Sequence, residues 1–154
     1  MAKALYGLKA IKMGDVVNET TMPADNALTE FKTYRDSFEL NEEEGQITEE
    51  FSDQSDEPIV VFQEKGSRTI KANTYDYSPE FLKDVKGGTI VSGEWKEPDT
   101  TPTVYKALKI VTDSGQEINI PKVQVFARFN LKLKKKEVAL LEMTFKPLSK
   151  VSIK

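Results

Sequence analysis

A long run of alternating apolar and polar residues constrains the fold of this chain more than any other feature of its sequence. Between Lys122 and Lys134 every second residue is apolar, and these residues are Val123, Val125, Ala127, Phe129, Leu131 and Leu133. Successive side chains of a β-strand point to opposite faces of the sheet. The pattern therefore predicts a long strand with one buried face and one polar face.

The residues that follow predict an antiparallel neighbour for this strand. Lys135-Lys136 predicts a polar turn, after which Glu137–Phe145 returns as a second strand. The apolar positions of the returning strand change parity at Leu140-Leu141. This change indicates either a β-bulge or a strand that is buried on both faces.

Further strands are predicted on both sides of tight turns upstream. Asp113-Ser114-Gly115 favours a hairpin between Val104–Thr112 and Gln116–Ile120, and Pro121 predicts a sheet edge or a bend. Shorter strands are predicted at Ser37–Leu40, Gln46–Phe51, Ile59–Gln63, Arg68–Tyr75 and Thr89–Trp95. Eight or more short strands separated by turns are typical of a β-sandwich or a β-barrel.

One short α-helix is predicted over Ser78–Lys86. Ser78 can accept a hydrogen bond from an early backbone N–H, and Gly87 can adopt the left-handed conformation that ends many helices. The apolar residues of this segment are Phe81, Leu82 and Val85. A helix of about two turns is unstable alone, so its apolar face must pack on the sheet.

The 154 residues suit one domain that covers residues 1–154. Two polar segments, at about residues 14–33 and 42–58, are predicted to be long loops. Loops of this length are uncommon inside a compact domain and are usually either functional or disordered.

The composition excludes several classes of chemistry. The chain contains no Cys and no His, which excludes disulfides, thiolate and imidazole metal sites, cysteine nucleophiles and Ser-His triads. The carboxylates between residues 42 and 57 lack the spacing of a calcium loop. No apolar run approaches the ~20 residues that span a bilayer. We therefore expect no enzyme activity, no cofactor, no metal and no membrane partner.

Charge is divided unevenly along the chain. Residues 1–77 contain 8 Lys or Arg and 16 Asp or Glu, whereas residues 78–154 contain 14 and 9. This asymmetry fits acidic and basic surfaces that meet within one fold or between copies, and it equally fits solvent-facing positions that merely differ in sign. The lysines at 132 and 134–136 lack interleaved aromatic residues and the net charge is −3, which argues against specific nucleic-acid binding.

The order of elements carries a family resemblance. An acidic hairpin region precedes Pro58–Ile70 (PIVVFQEKGSRTI), which is followed by Tyr75–Leu82 (YDYSPEFL) and Gly87-Gly88. A long hairpin then closes with Glu142–Leu148 (EMTFKPL). This order resembles the tail tube proteins of tailed bacteriophages, particularly the divergent forms of phages and prophages of gut bacteria. The resemblance covers roughly residues 35–150.

The resemblance implies a mainly β, antiparallel sandwich or barrel-like fold with one short helix, whose subunits stack as hexameric rings. It implies a structural protein of the virion tail that is assembled in the bacterial cytoplasm, with DNA passing through the lumen without specific binding. The implied partners are other copies of the chain and other tail proteins, and both long loops would become ordered only where rings meet. The residues expected at subunit interfaces are Met22, Leu28, Phe31, Glu43, Glu44, Lys134, Lys135 and Lys136.

Other functions remain open at this point. The same fold serves the inner tubes of type VI secretion and contractile injection systems. A monomeric β-sandwich could instead bind a carbohydrate or a protein, although the sequence shows no evident aromatic platform for a sugar. An enzyme that uses only carboxylates, Lys or Tyr is disfavoured because no constellation for it can be located.

Overall fold

The structure is a computed structural model that describes residues 2–54, 56–64 and 66–154. In this part of the chain the fold is mainly antiparallel β with one short α-helix, which confirms the predicted fold class. None of the described helices is long and apolar enough to cross a membrane.

The secondary-structure elements follow one another in a simple order. The strands are β1 (Leu8–Gly14), β2 (Thr29–Phe31), β3 (Glu39–Glu42), β4 (Ile47–Phe51), β5 (Pro58–Gln63), β6 (Arg68–Thr74), β7 (Thr89–Val91), β8 (Glu94–Lys96), β9 (Val104–Thr112), β10 (Glu117–Asn130), β11 (Leu140–Pro147) and β12 (Ser152–Ile153). A 3₁₀ turn covers Asp25–Ala27, and the α-helix α1 covers Pro79–Lys86.

Within the described residues, eight strands form one main sheet. Its order is β2-β1-β9-β10-β11-β6-β3, and β12 pairs with the first part of β10. The pair β4 and β5 and the pair β7 and β8 each form a separate two-stranded sheet. The predicted strand over Thr89–Trp95 is therefore wrong, because the chain reverses at Ser92 and Gly93, which both have a positive φ.

The central strand β10 differs from its prediction at both ends. It begins at Glu117, and Pro121 lies inside it rather than at an edge or a bend between strands. The register between β10 and β9 shifts between Ile120 and Val123, so a bulge accommodates the residue that lacks an N–H donor. The strand ends at Asn130, four residues before the predicted end at Lys134.

The pairing of β10 with β11 is regular over its whole length. Asn130 is opposite Leu140 and Val123 is opposite Pro147, with no shift between them, so the bulge predicted at Leu140-Leu141 is not present. Leu141 is fully buried on the core face whereas Leu140 is on the opposite face. Val138 has the opposite parity to the buried residues Leu141, Met143 and Phe145, but it lies before the first residue of β11 and so does not belong to the strand's alternation.

The main sheet is rolled into a barrel-like shape. Phe31 in β2 and Phe145 in β11 are separated by three intervening strands, which would place them roughly 19 Å apart across a flat sheet. Their ring centroids are 6.3 Å apart. The chain after β2 also reaches β6, because the Tyr34 N–H donates to the Asn73 carbonyl oxygen at 2.7 Å. The two ends of the sheet therefore approach each other around a common core.

The helix α1 packs into this core. Phe81, Leu82 and Val85 are buried, and the Phe81 ring centroid is 5.9 Å from that of Phe31. The helix begins at Pro79, one residue after the predicted start, and ends at Lys86 as predicted. The predicted hydrogen bond from an early backbone N–H to the Ser78 side chain is not present, although the Ser78 carbonyl oxygen accepts the first helical hydrogen bond, from the Leu82 N–H at 3.0 Å.

Replacing Phe81 with alanine tests this packing. The substitution would leave a cavity beside Phe31, so Phe81→Ala should lower the free energy of unfolding by about 3–5 kcal/mol. Chemical denaturation of the monomer measures this loss. Phe62→Ala is the matched control because the Phe62 side chain is exposed, and its loss should be below about 1 kcal/mol. Equal losses for the two variants would contradict the assigned core.

Candidate functional site

A two-stranded ribbon leaves the main sheet and forms the most exposed part of the molecule. We call β4, β5 and the described residues of the turn between them the arm. In the described part of the chain, β4 and β5 pair only with each other, and every residue of both strands is exposed. The strands of the arm therefore bury no side chain against the barrel.

The junction between the arm and the barrel depends on two glycines. Glu43 donates its N–H to the Ser67 carbonyl oxygen at 2.8 Å, and Glu64 donates to the Gln46 carbonyl oxygen at 2.7 Å. Between these bonds the backbones approach so closely that a Cβ on Gly45 would overlap the Glu64 carbonyl oxygen, and a Cβ on Gly66 would overlap that of Glu43. Only glycine permits this close approach.

Apolar side chains are exposed on both faces of the arm. The exposed fraction is 63% for Ile59, 54% for Val61 and 57% for Phe62. Ile59 and Val61 lie on one face and Val60 and Phe62 on the other, since successive side chains alternate. An isolated two-stranded hairpin is marginally stable in water. A hairpin with apolar side chains exposed on both faces is typical of a surface that binds a partner.

The arm is also acidic. Exposed carboxylates that form no ion pair among the described residues are Glu49, Glu50, Asp53 and Asp56. At the base of the arm, Glu43 and Glu44 are exposed, and Glu43 accepts a hydrogen bond from the Ser67 hydroxyl at 3.1 Å.

A second protruding segment joins β10 to β11. We call residues 131–139 the lysine tip. Its apolar residues are exposed by 54% at Leu131, 87% at Leu133 and 56% at Val138. Lys134 forms an ion pair with Glu137 at 3.6 Å. Across the described residues, no carboxylate lies within ion-pair distance of the neighbouring lysines, which are Lys132, Lys135 and Lys136.

An aromatic cluster holds the base of the lysine tip. The Phe129 ring stacks on Tyr77 with a centroid separation of 6.1 Å and meets the edge of Trp95 at 6.0 Å. The Tyr77 hydroxyl donates to the Leu140 carbonyl oxygen at 2.6 Å, and partial burial raises the pKa of Tyr77. The Lys86 ammonium lies 4.7 Å from the Phe129 ring centroid. These contacts fix the direction in which the tip projects.

The arm and the lysine tip project from opposite ends of the main sheet. The tip joins β11 at Leu140, and the next residue, Leu141, is opposite Thr74 of β6. The arm joins β6 at its other end, before Arg68. The seven residues from Arg68 to Thr74 span about 20 Å, so the two protrusions are separated by most of the length of the sheet.

The first of the two predicted loops is bound to its own barrel. Lys106 pairs with Asp15 at 2.9 Å and Lys109 pairs with Asp25 at 2.8 Å. A further pair joins Lys122 to Glu19 at 3.5 Å. We call residues 15–25 the strap, since these pairs tie it to β9 and β10. The acidic first half and the basic second half of the chain thus meet in part within one fold.

The residues after the strap correct two predicted interface positions. Phe31 lies in β2, opposite Ile11 of β1, and is 5% exposed. Leu28 is 9% exposed. Both belong to the buried interior because β2 extends the sheet, so neither is available to a second subunit. Residues 14–33 are therefore not one irregular loop, since they include the 3₁₀ turn and β2. That the segment becomes ordered only between rings stays a prediction.

The other predicted interface residues remain accessible to different degrees. Met22 is half-buried, whereas Glu43 and Glu44 are exposed at the base of the arm. Lys134, Lys135 and Lys136 are exposed at the tip. The structure brings Glu43 close to Glu44 and the three lysines close to one another, but it separates these two groups.

Sequence reasoning missed the apolar residues of the arm as interface candidates. The segment Ile59–Phe62 contains four consecutive apolar residues, a pattern typical of strands that are buried on both faces. Its partner strand carries Glu49 and Glu50 and has no such burial within the chain. The contrast between an apolar strand and an acidic, exposed partner strand is the signal that could have identified the arm as a candidate interface.

Sequence reasoning also missed a groove of about 810 Å³ beside the N-terminal segment. Three tyrosines line it, and their exposed fractions are 65% for Tyr6, 43% for Tyr34 and 45% for Tyr75. They come from three distant parts of the chain, so no local pattern predicts the groove. Its charged side chains are balanced, and they are Lys9, Lys32, Arg35, Glu30, Asp36 and Asp113.

Within the described ranges, no three acidic side chains are grouped so that they could hold a metal ion. The sequence matches no protein-family model, and a comparison with curated proteins finds no match. The function must therefore be inferred from exposure, contacts and charge.

The ion pair between Lys109 and Asp25 yields a pH-dependent prediction for the strap. The hydrogen bond and the charge of Lys109 lower the pKa of Asp25, and Asp25 in turn raises the pKa of Lys109. A carboxylate with a lowered pKa stabilises the folded state above its unfolded pKa, and this contribution is lost as the pH falls through the folded pKa. The protection of the amides in residues 15–25, measured relative to the intrinsic exchange rate at each pH, should therefore fall below about pH 4.

Lys109→Met should raise the pKa of Asp25 toward its ordinary value, as measured by NMR titration of the side-chain carboxyl carbon. Lys150→Met is the control, because Lys150 is exposed and lies outside the strap contacts. An Asp25 titration that is the same in the Lys109→Met variant and the unmodified protein would contradict the pairing.

Proposed function

We propose that this chain is a structural subunit that assembles with copies of itself into stacked hexameric rings, forming the tail tube of a phage or a prophage-derived particle. The observation that carries this proposal is the arm, whose apolar side chains are exposed on both faces. The family resemblance of residues 35–150 supports the same function. In this proposal the subunit acts in the virion tail, is assembled in the bacterial cytoplasm, and has other tail proteins as further partners.

The energetics of the arm favour a permanent partner. Covering a side chain such as Ile59 or Phe62, which is about half exposed, contributes roughly 1 kcal/mol. The arm carries several such side chains, and they are Ile47, Phe51, Ile59, Val60, Val61 and Phe62. One arm alone barely offsets the several kcal/mol that association costs. An assembly in which each copy both gives and receives an arm would multiply the contact.

The net charge is consistent with a tube that conducts DNA. The chain carries −3 at neutral pH, and like charge disfavours adhesion of the phosphate backbone to the lumen. We propose no catalytic role and no cofactor. The inner tube of a secretion or contractile injection system would use the same assembly with a different cargo.

The tyrosine groove favours a second candidate function, a monomeric binding module. Exposed aromatic rings such as Tyr6, Tyr34 and Tyr75 can stack on a carbohydrate or cover an apolar segment of a protein. This candidate leaves the apolar faces of the arm unexplained, and for this reason we rank it second.

Self-association is the direct test of the proposed function. Sedimentation velocity over a wide range of concentration, with negative-stain electron microscopy of the same samples, should show rings or tubes. The arm amides should exchange rapidly in the dilute monomer and slowly in the assembly, because an uncovered ribbon opens easily. A protein that stays monomeric at every concentration, also with the other tail components present, would exclude a tube subunit and favour the binding module.

The triple variant Val60→Thr, Val61→Thr and Phe62→Thr tests whether the arm drives assembly. Threonine keeps the β-propensity of these positions while removing most of their apolar surface, so the barrel should unfold at nearly the same temperature and assembly should be lost. The control replaces three exposed apolar residues elsewhere with threonine, and these are Val91, Leu148 and Ile153. Normal tubes from the arm variant would show that the arm is not the assembly surface.

A further inference from the structure

We infer that the arm of one copy docks on the lysine tip of the next copy, so that copies associate head to tail along the direction of the strands. This inference deepens the proposed function and rests on it. It names one occupant for each protruding surface, and that occupant is a second copy of this chain.

The position of the two surfaces makes the contact intermolecular. The tip begins after Asn130, and the arm begins before Arg68, about 20 Å away along β6. All described residues of β4 and β5 are exposed, so the arm does not fold back on its own barrel. When two copies are aligned end to end, the tip of one faces the arm of the other.

Charge complementarity selects this pairing over contact between like surfaces. The arm presents carboxylates at Glu49, Glu50, Asp53 and Asp56, and the tip presents the ammonium groups of Lys132, Lys135 and Lys136. Within the described residues none of these groups has an ion-pair partner in its own chain. Two arms or two tips would repel each other, whereas an arm and a tip attract.

Apolar surface supports the same pairing. Leu131, Leu133 and Val138 are exposed on the tip beside the lysines, and Ile59 and Val61 are exposed on the arm beside Glu49. Burial of these side chains against each other would supply the attraction, and the charges would set the orientation. The aromatic cluster around Phe129 holds the tip in place before contact, which lowers the entropy cost of docking.

The contact has a symmetry consequence. It joins two different surfaces, so it is heterologous and leaves one free arm and one free tip on every pair of copies. Such a contact propagates until a ring closes or a filament forms. In a tube whose axis runs along the strands, this contact would stack successive layers of rings.

A charge-exchange experiment with the full chain tests the pairing. The tip-reversed variant carries Lys134→Glu, Lys135→Glu and Lys136→Glu, and the arm-reversed variant carries Glu49→Lys, Glu50→Lys and Asp53→Lys. In each variant alone the arm and tip have the same sign, so the concentration needed for assembly should rise at least about tenfold. In an equimolar mixture every arm meets a tip of opposite sign, so assembly should return with both variants incorporated in equal amounts.

Two measurements keep this test interpretable. The control variant Lys3→Glu, Lys9→Glu and Lys83→Glu has the same net charge as the tip-reversed variant but leaves the tip intact, so it should assemble normally. Thermal unfolding of the monomers should be nearly unchanged, because the substituted side chains are exposed. Assembly of the unmodified protein should also weaken as sodium chloride rises, because salt screens exposed charges within ~8 Å.

The outcomes separate this inference from the proposed function. Normal tubes from the tip-reversed variant alone, or a mixture that fails to restore assembly, would overturn the arm–tip contact and leave the tube proposal standing. Charge-dependent chains of copies without rings or tubes would support the contact and overturn the tube. A strictly monomeric unmodified protein would overturn both.

Discussion

The contact among three phenylalanine rings is the interaction on which the rest of the structure depends. Phe31 on one end of the sheet packs near Phe145 and against Phe81 of the helix. This contact brings the two ends of the sheet together. The side chains on the inner face of the rolled sheet are therefore buried, and those on its outer face stay accessible. Because β3 is left as the far edge of the rolled sheet, the chain that joins it to β6 can continue outward as the arm without disturbing the core.

The division of charge along the chain has two different structural outcomes. Lys106, Lys109 and Lys122 lie on β9 and β10 with side chains that are at most 25% exposed, and their ammonium groups bind the strap. Those charges serve the fold of a single copy. Glu49, Glu50 and Asp53 of the arm form no ion pair among the described residues, and neither do Lys132, Lys135 and Lys136 of the lysine tip. The same asymmetry therefore also leaves complementary surfaces at opposite ends of the molecule.

Much of the fold could be predicted from the sequence because its signals are local. The hairpin around Asp113-Ser114-Gly115 and the helix Pro79–Lys86 were both predicted, since turn residues and helix boundaries act over a few positions. Phe31 was expected at an interface because it lies in a segment that was predicted to be a polar loop, and its burial depends on the long-range contact that rolls the sheet. The tyrosine groove joins residues from three parts of the chain, which no local pattern reports. The lysines and glutamates proposed for the interface were found by their charge, but their position at opposite ends follows only from strand register.

The close approach of the two backbones at Gly45 and Gly66 also determines the direction in which the arm projects from the barrel. Beyond this crossing the β4–β5 ladder extends for roughly 20 Å. A rotation of about 10° at the crossing would thus displace the far end of the ladder by about 3–4 Å, which is comparable to the rise of one strand residue. A Cβ at either position would overlap a carbonyl oxygen of the opposite backbone, so a substitution there would force the backbones of the crossing to shift. In a stack of copies that displacement would recur at every layer, so two residues without side chains would set the pitch of the whole assembly.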